Sequence, residues 1–329
     1  MLKAGAYGHG LEKVAALLES ADVAFYGVAS VGEARRITSA GTNRAIYLLG
    51  PTFPEERAEV VKNRWIASMS SWDEAEHFNS LNDGGDPLEV HLTIDTGMGR
   101  GGFLPEQIEE ILPKLLQLPN LKIVGIGSHL PSADEDRGFT LKQFDQFGSL
   151  VEKLSLIHRF EYVHLANSAG VLDYSSPVTN LVRPGLMLYG ISPLPAHQVK
   201  LKPVMTLKSR VSLVRTLPAG QGISYGRTCI LEKETRVATV GAGYGDGYSR
   251  LFSGVGAEVM IRGKRCPVLG RVTMDQIMVD VSSLDACESG DEVELFGENV
   301  LVSELAEKAN LIPWEILTGI TPRVLRDYI

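Results

Sequence analysis

Through its first 190 or so residues the chain alternates short β-type runs with helical patterns, an alternation that predicts parallel strands covered by helices on both faces. The β-type runs fall at residues 1–3, 24–29, 45–49, 66–69, 88–94, 122–128, 161–165 and 180–183. Between them, 11–18, 55–62, 105–116 and 141–158 carry apolar residues at three and four residue spacing, which is the mark of helices packed on a core. Eight such units in about 200 residues predict a (β/α)8 TIM-type barrel. The first run is too short for a barrel stave, so the chain is expected to begin in mid-strand. From about residue 200 the pattern changes to closely spaced alternating runs at 211–216, 237–240, 258–261, 278–281 and 292–296, with a helical stretch at 303–309. That predicts a mainly antiparallel β domain, entered through Pro193, Pro195 and Pro203. The expected division is a barrel over 1–197, its first strand truncated, and a β domain over 198–329.

Composition narrows the function. The 329 residues are 44% hydrophobic and 22% charged, ordinary for a globular protein, and the net charge is −8. No basic run is dense enough to track phosphates, which disfavours nucleic acid as a partner. The three cysteines, Cys229, Cys266 and Cys287, show no CxxC spacing and read as reduced thiols of a cytoplasmic protein. No signal peptide or membrane-spanning run is evident, and the scattered histidines suggest no metal cluster.

In a parallel barrel the residues just beyond the strand ends share one rim, where such folds keep their chemistry. Five polar residues stand there: Lys3, Arg100, His129, Ser168 and Arg183. Lys3 is either a solvated terminal lysine or an amine able to form an imine with a carbonyl cofactor. Arg100 is either a surface cation or, swung on a flexible Thr96-Gly97-Met98-Gly99 turn, an inward anion ligand. His129 suits a hydrogen-bonded packing role as well as a site role. Ser168 reads as a helix N-cap and as part of an anion site, which are compatible. Arg183 could end a strand or bind an anion or a ring nitrogen.

The sequence around these residues resembles the alanine racemases, pyridoxal-phosphate enzymes built on a barrel. The resemblance runs the length of the chain. It is carried by Lys3-Ala4-Gly5-Ala6-Tyr7-Gly8-His9-Gly10, Asp95-Thr96-Gly97-Met98-Gly99-Arg100, His164-Leu165-Ala166-Asn167-Ser168-Ala169-Gly170 and Arg183-Pro184-Gly185-Leu186-Met187-Leu188-Tyr189-Gly190. In the β domain Ile223-Ser224-Tyr225-Gly226-Arg227-Thr228, Gly243-Tyr244-Gly245-Asp246-Gly247 and Gly270-Arg271-Val272-Thr273-Met274-Asp275-Gln276 continue the register.

What the resemblance implies is specific. Lys3 would hold pyridoxal 5'-phosphate as an imine and then act as the base on the D-alanine face, with Tyr225 of the partner subunit as the base on the L face. Opposed bases are what inversion at a carbon requires. Arg183 would bond the pyridine nitrogen, and His129 would link Arg183 to Tyr225. Tyr7, Ser168 and the amides of Gly185 and Leu186 would cradle the phosphate. Arg100 and the amide of Met274 would take the substrate carboxylate, and Tyr244 would narrow the entrance. For Tyr225, Tyr244 and Met274 the residues alone would equally suit strand packing. The implied protein is a head-to-tail homodimer that interconverts L- and D-alanine and supplies D-alanine for peptidoglycan. Rival readings are a racemase of a larger amino acid, a barrel decarboxylase or aldolase, a pyridoxal-phosphate carrier, and an inactive fragment.

The chain departs from the family pattern in four places. Thr93 stands where many members have a carbamylated lysine, so a hydroxyl, water or bound anion is expected to steady Arg100. Gly5 replaces the usual asparagine, which predicts a looser loop. Pro322 stands where some members have a phosphate-binding tyrosine before the arginine matching Arg323. Finally, members carry roughly 35 more residues before the lysine, without which the barrel is expected to have a poorly paired edge.

Overall fold

The computed structural model describes residues 1–82, 84–194 and 201–329. The chain divides into two units. One comprises Met1–Ala6, Gly10–Leu188 and a few residues after Ile191; the other comprises Tyr7–His9, Tyr189–Ile191 and the chain beyond residue 200. Pro195 and the expected boundary at 197/198 lie outside the described residues.

The first unit is a parallel sheet of six strands in sequential order: β1 (Phe25–Val28), β2 (Ala45–Leu48), β3 (Ile66–Met69), β4 (Leu88–Thr93), β5 (Leu121–Gly127) and β6 (Tyr162–His164). Register runs from Phe25 opposite Ala45 to Val28 opposite Leu48, and onward strand by strand. Val28, Leu48, Met69, Leu92 and Ile126 are fully buried, because helices cover the faces that a solvated sheet would leave polar. The helix Arg137–Leu154 shows how: Gln143, Phe144, Phe147, Leu150, Val151 and Leu154 make one buried stripe. Each apolar side chain so buried stabilises the fold by about 1.5–3 kcal/mol. This helix starts four residues before the sequence expectation, since Asp136 caps it by accepting from the Phe139 amide at 2.9 Å.

Two of the eight expected strands do not form. At one edge Leu2 gives a single bond, its amide donating to Gly27 O at 2.8 Å, and the chain then leaves the sheet. At the other, Leu181 bridges His164 in parallel, with Asn180 N and Leu181 N donating to Val163 O and Arg183 N to Ala166 O, but no regular strand ladder forms. The Met1 amine donates to Pro184 O at 3.1 Å, so the outermost segments meet and the sheet is curled. The barrel class expected from sequence holds, with six regular strands and two irregular segments in place of eight strands.

The second unit is antiparallel. Its strands are β7 (Leu207–Leu217), β8 (Gly222–Ile223), β9 (Cys229–Ile230), β10 (Thr235–Val240), β11 (Glu258–Ile261), β12 (Lys264–Leu269), β13 (Ile277–Asp280) and β14 (Glu292–Phe296). Six of them close a ring in the order β10, β13, β12, β11, β14, β7, while β8 and β9 pair separately. Alternate residues point inward, as in β11, where Val259 and Ile261 are buried and Glu258 and Met260 are partly exposed. Helices Val302–Ala309 and Pro313–Thr318 complete the unit. Residues 7–9 belong to it through Tyr328 Oη, which donates to His9 O at 2.9 Å, and Arg326 Nε, which donates to Gly8 O at 2.9 Å. Only glycine fits at position 8, where a Cβ would lie 2.1 Å from Leu317 O.

Candidate active site

Lys3 leaves the sheet on a left-handed turn. Ala4, Gly5 and Ala6 have φ/ψ near 53/47, 63/38 and 57/50, and Tyr7 follows at φ 52. Residues with a Cβ disfavour this region by roughly 1–2 kcal/mol each, so the turn needs anchors. It has three: Ala6 N to Leu2 O at 2.6 Å, Gly10 N to Gly5 O at 2.9 Å, and Gly5 N to Glu33 Oε1 at 3.1 Å. The loop that Gly5 was expected to loosen is therefore fastened through both of its peptide groups. Burial holds the Lys3 amine below its ordinary pKa; Arg100 and Arg183 push the same way and Glu33 opposes them. A larger neutral fraction suits a nucleophile or a base.

Arg100 is exposed, at the end of a turn organised by Asp95. Asp95 Oδ1 accepts from Gly97 N at 2.9 Å and Gly99 N at 3.1 Å. Partial burial tends to raise this carboxyl, yet the surrounding amides outweigh it and hold it below the usual range. Thr96 Oγ1 lies 2.7 Å from Ser128 Oγ, and Gln143 Nε2 donates to Thr96 O at 3.2 Å. The turn before Arg100 is thus pinned, where the glycines suggested flexibility. Thr93 ends β4 opposite Gly127, and its carbonyl accepts from Phe103 N at 2.8 Å.

Arg183 is buried with neutral acceptors around it. Its Nη2 donates to Ser128 O at 2.5 Å, Leu165 O at 3.2 Å and His129 Nδ1 at 3.2 Å, and its Nη1 donates to His164 Nδ1. A guanidinium can only donate, which fixes the rest of the chain. His164 must accept at Nδ1 and donate from Nε2, to His91 Nδ1 at 2.8 Å. Burial, then the charge of Arg183, pushes His91 down to about 3 and His164 well below the ordinary range; the same two effects bring His129 to about 3. All three rings are neutral at physiological pH. Burial lowers Arg183 to about 10, which still leaves it charged at neutral pH.

β5 makes room for these rings by having no side chains beside them. A Cβ on Gly125 would sit 2.6 Å from the His91 ring, and one on Gly127 would sit 2.0 Å from His164 Cε1. Tyr47 closes the group, its ring 4.5 Å from His91 and its hydroxyl accepting from Ser68 Oγ at 2.9 Å.

Ser168 corrects a sequence expectation. The N-cap of helix Ser168–Asp173 is Asn167, whose Oδ1 accepts from Gly170 N at 3.0 Å. Ser168 Oγ is left to accept from Gly185 N at 2.9 Å and Met187 N at 3.3 Å. Ser168, Gly185 and Leu186 are buried, and the serine hydroxyl ties the start of the helix to the 185–187 turn. Lys3, Arg100, His129, Ser168, Arg183, Gly185 and Leu186 all follow strand ends or irregular segments on the carboxyl side of this sheet.

Tyr7 belongs to the other unit. Its ring stacks on Tyr189 at 4.9 Å, Tyr189 stacks on His9 at 4.4 Å, and burial pushes the Tyr7 phenol up to about 12. In the same unit Tyr225, Tyr244 and Met274 are 70%, 40% and 52% exposed, which excludes the alternative of core strand packing. Tyr244 and Met274 are joined through backbone: Tyr244 N donates to Thr273 O at 3.0 Å and Gly245 N to Met274 O at 2.8 Å. Gly243 must lack a Cβ, which would fall 2.2 Å from Thr273 O. Tyr225 sits in a 3-10 turn whose Ser224 Oγ donates to Arg271 O at 2.6 Å, three residues before Met274.

Sequence reasoning missed Glu33, His91 and the contact made by His164. For the histidines the available signal was Gly125-Ile126-Gly127, two glycines on one face of an otherwise apolar strand. Glu33 gave only a helix-cap signal. Among the described residues no helix is long and apolar enough to cross a membrane.

Known proteins share this architecture. Residues 1–193 match the family model described as alanine racemase, N-terminal domain, and 204–328 match the one described as alanine racemase, C-terminal domain. The alanine racemase of Methylacidiphilum infernorum is 38% identical over all of this chain and 85% of its own length; that of Halothermothrix orenii is 37% identical over all of this chain and 89% of its own. The solved alanine racemase of Clostridium difficile 630 superposes with a TM-score of 0.91 at 34% identity, covering 98% of this chain and 86% of that one.

Proposed function

The chain belongs to the alanine racemase family, and we propose that it interconverts L- and D-alanine with Lys3 and Tyr225 as the two proton-transferring residues. The observation that carries this reading is the convergence of Lys3, Arg100 and Arg183, an excess of positive charge at the carboxyl side of the parallel sheet. Such a donor set fits pyridoxal phosphate, which presents a phosphate and a ring nitrogen, together with a substrate carboxylate. When bound, that cofactor supplies the electron sink that lets the substrate Cα–H bond break.

The chain's own residues do the rest. Lys3 Nζ holds the cofactor and then moves a proton on one face of Cα, its neutral fraction raised by its surroundings. Tyr225 of the partner subunit moves a proton on the other face; its 70% exposure in a single subunit supports that assignment. Arg183, already satisfied by neutral acceptors, directs its remaining donor capacity to the ring nitrogen without giving up its proton. His129 accepts from Arg183 and, lying near neutral rather than cationic, is suited to tune the partner phenol. Ser168, Gly185, Leu186 and Tyr7 bind the phosphate; Arg100 and the Met274 amide bind the carboxylate, and Tyr244 restricts the entrance. A head-to-tail homodimer, a cytoplasmic location and supply of D-alanine for peptidoglycan belong to the same proposal. The expected barrel over 1–197 and partner-completing β domain over 198–329 belong to it too.

Borohydride reduction of the cofactor-loaded protein, followed by peptide mapping, tests the central assignment. The label is expected on Lys3. A folded, cofactor-binding sample labelled elsewhere would overturn it.

A further inference from the structure

Glu33 does more than its local role explains. Ser30 caps the helix Val31–Ser39, its Oγ accepting from Glu33 N at 3.3 Å, and Glu33 Oε2 accepts from Ala29 N at 3.0 Å. This is the Ser-x-x-Glu signature of a helix start, in which the carboxylate satisfies amides at the N-terminus. The chain contains the same device after β3. There Ser71 Oγ accepts from Glu74 N at 3.2 Å and Glu74 Oε2 accepts from Ser70 N at 2.9 Å. The second oxygen of Glu74 faces Arg57 at 3.9 Å and has no hydrogen-bond partner among the described residues. Capping a helix in this fold therefore occupies one carboxylate oxygen.

At Glu33 the second oxygen is engaged elsewhere. Oε1 accepts from the Gly5 amide at 3.1 Å, 28 residues away in sequence, at the centre of the left-handed turn that follows Lys3. Three of the four left-handed residues there carry a Cβ, so the turn is one that the chain would not hold unaided. Charge points the same way. The groups acting on Lys3 are Arg100, Arg183 and Glu33, of which Glu33 alone is negative, and Lys3 in turn acts on the Met1 amine. On the helix of Glu33 itself, Arg36 is paired with Glu12.

We propose that Glu33 is a positioning residue for Lys3: its carboxylate holds the Gly5 amide, fixes the left-handed turn that presents Lys3 Nζ, and is the counter-charge to the cluster of Lys3, Arg100 and Arg183. The proposal deepens the reading of Lys3 as the cofactor lysine and rests on it.

The test uses the full chain freed of cofactor. Acetic anhydride labelling across a pH series, with Lys3 followed by peptide mapping, reports the titration of that amine without any turnover. Glu33→Gln keeps one acceptor and removes the charge, so the half-labelling pH of Lys3 is expected to move downward. Glu33→Asp keeps the charge but is one methylene short; kcat of the loaded enzyme is expected to fall roughly tenfold with KM for alanine little altered. Ser30→Ala weakens the cap alone and is expected to lower thermal stability while leaving the Lys3 titration in place. An unmoved Lys3 titration in Glu33→Gln, an equal displacement in Ser30→Ala, or a parental kcat in Glu33→Asp overturns the proposal. Borohydride trapping on the parent separates this failure from that of the underlying reading: an untrapped Lys3 removes the cofactor role, whereas a trapped Lys3 indifferent to Glu33 removes only the positioning role.

Discussion

Gly127→Ala perturbs the site through one added carbon. The new Cβ would stand 2.0 Å from His164 Cε1, and ordinary contact begins near 3.4 Å, so the ring must retreat by about 1.4 Å. That retreat breaks the bonds of His164 to Arg183 and to His91, because both are made by the ring that moves. Overpacking costs about 1–3 kcal/mol, and loss of a hydrogen bond to a charged group costs about 1.5–3 kcal/mol. Together these predict a loss of roughly 2.5–6 kcal/mol. For a unit of about 200 residues that corresponds to a fall in melting temperature on the order of 10 °C, read by circular dichroism. Gly148→Ala is the control: it lies in the helix Arg137–Leu154, its Cβ would approach only Val178 at 3.7 Å, and the change should be neutral or slightly stabilising. A Gly127→Ala protein that melts within two or so degrees of the parent would refute the close-packed slot.

Three further outcomes follow from the same geometry. His91 and His129 are depressed from 6.5 to about 3, so the unfolded chain takes up protons in that window that the folded chain refuses. Their contribution to stability is complete above pH 6.5 and is lost as pH falls toward 3; urea titrations at pH 7, 5.5 and 4.5 should show it, and a flat profile would contradict neutral buried rings. Ser168→Ala leaves the amides of Gly185 and Met187 without their acceptor and should weaken cofactor binding on the order of tenfold by equilibrium dialysis; an unchanged Kd would remove Ser168 from the phosphate site. Tyr225→Phe should slow solvent-deuterium exchange at Cα of L-alanine far more than of D-alanine, and equal slowing would contradict a one-sided base.

The strands that sequence revealed were short runs rich in apolar residues between turns, such as 66–69 and 88–93, where Ile66, Met69, Val90 and Leu92 are buried and polar Ser68, Glu89, His91 and Thr93 interrupt without ending the pairing. Residues 1–3 and 180–183 looked equivalent by composition, yet a strand is a regular pairing: Leu2 bonds Gly27, and Asn180, Leu181 and Arg183 bond Val163 and Ala166, without either segment building a ladder. β12 escaped notice because exposed Lys264, Arg265 and Pro267 surround its one buried residue, Cys266. In the site, residue types at strand ends were legible because topology alone collects them. The left-handed turn after Lys3 was not, since Ala4 and Ala6 carry no sign of positive φ and the conformation is imposed by Glu33 from another element. The assignment of Ser168 as a cap failed on a one-residue choice between two good capping side chains, Asn167 and Ser168, which only tertiary demand for a serine hydroxyl resolves.

The closed ring of the β unit has a consequence for a subunit on its own. With β10 and β7 hydrogen-bonded to each other, the ring exposes no row of unpaired peptide groups, so a second polypeptide cannot extend it by strand addition. Edge-to-edge pairing in that unit is left to the two-residue strands β8 and β9, too short to template a long ladder, so growth from the ring itself must use side chains and loops.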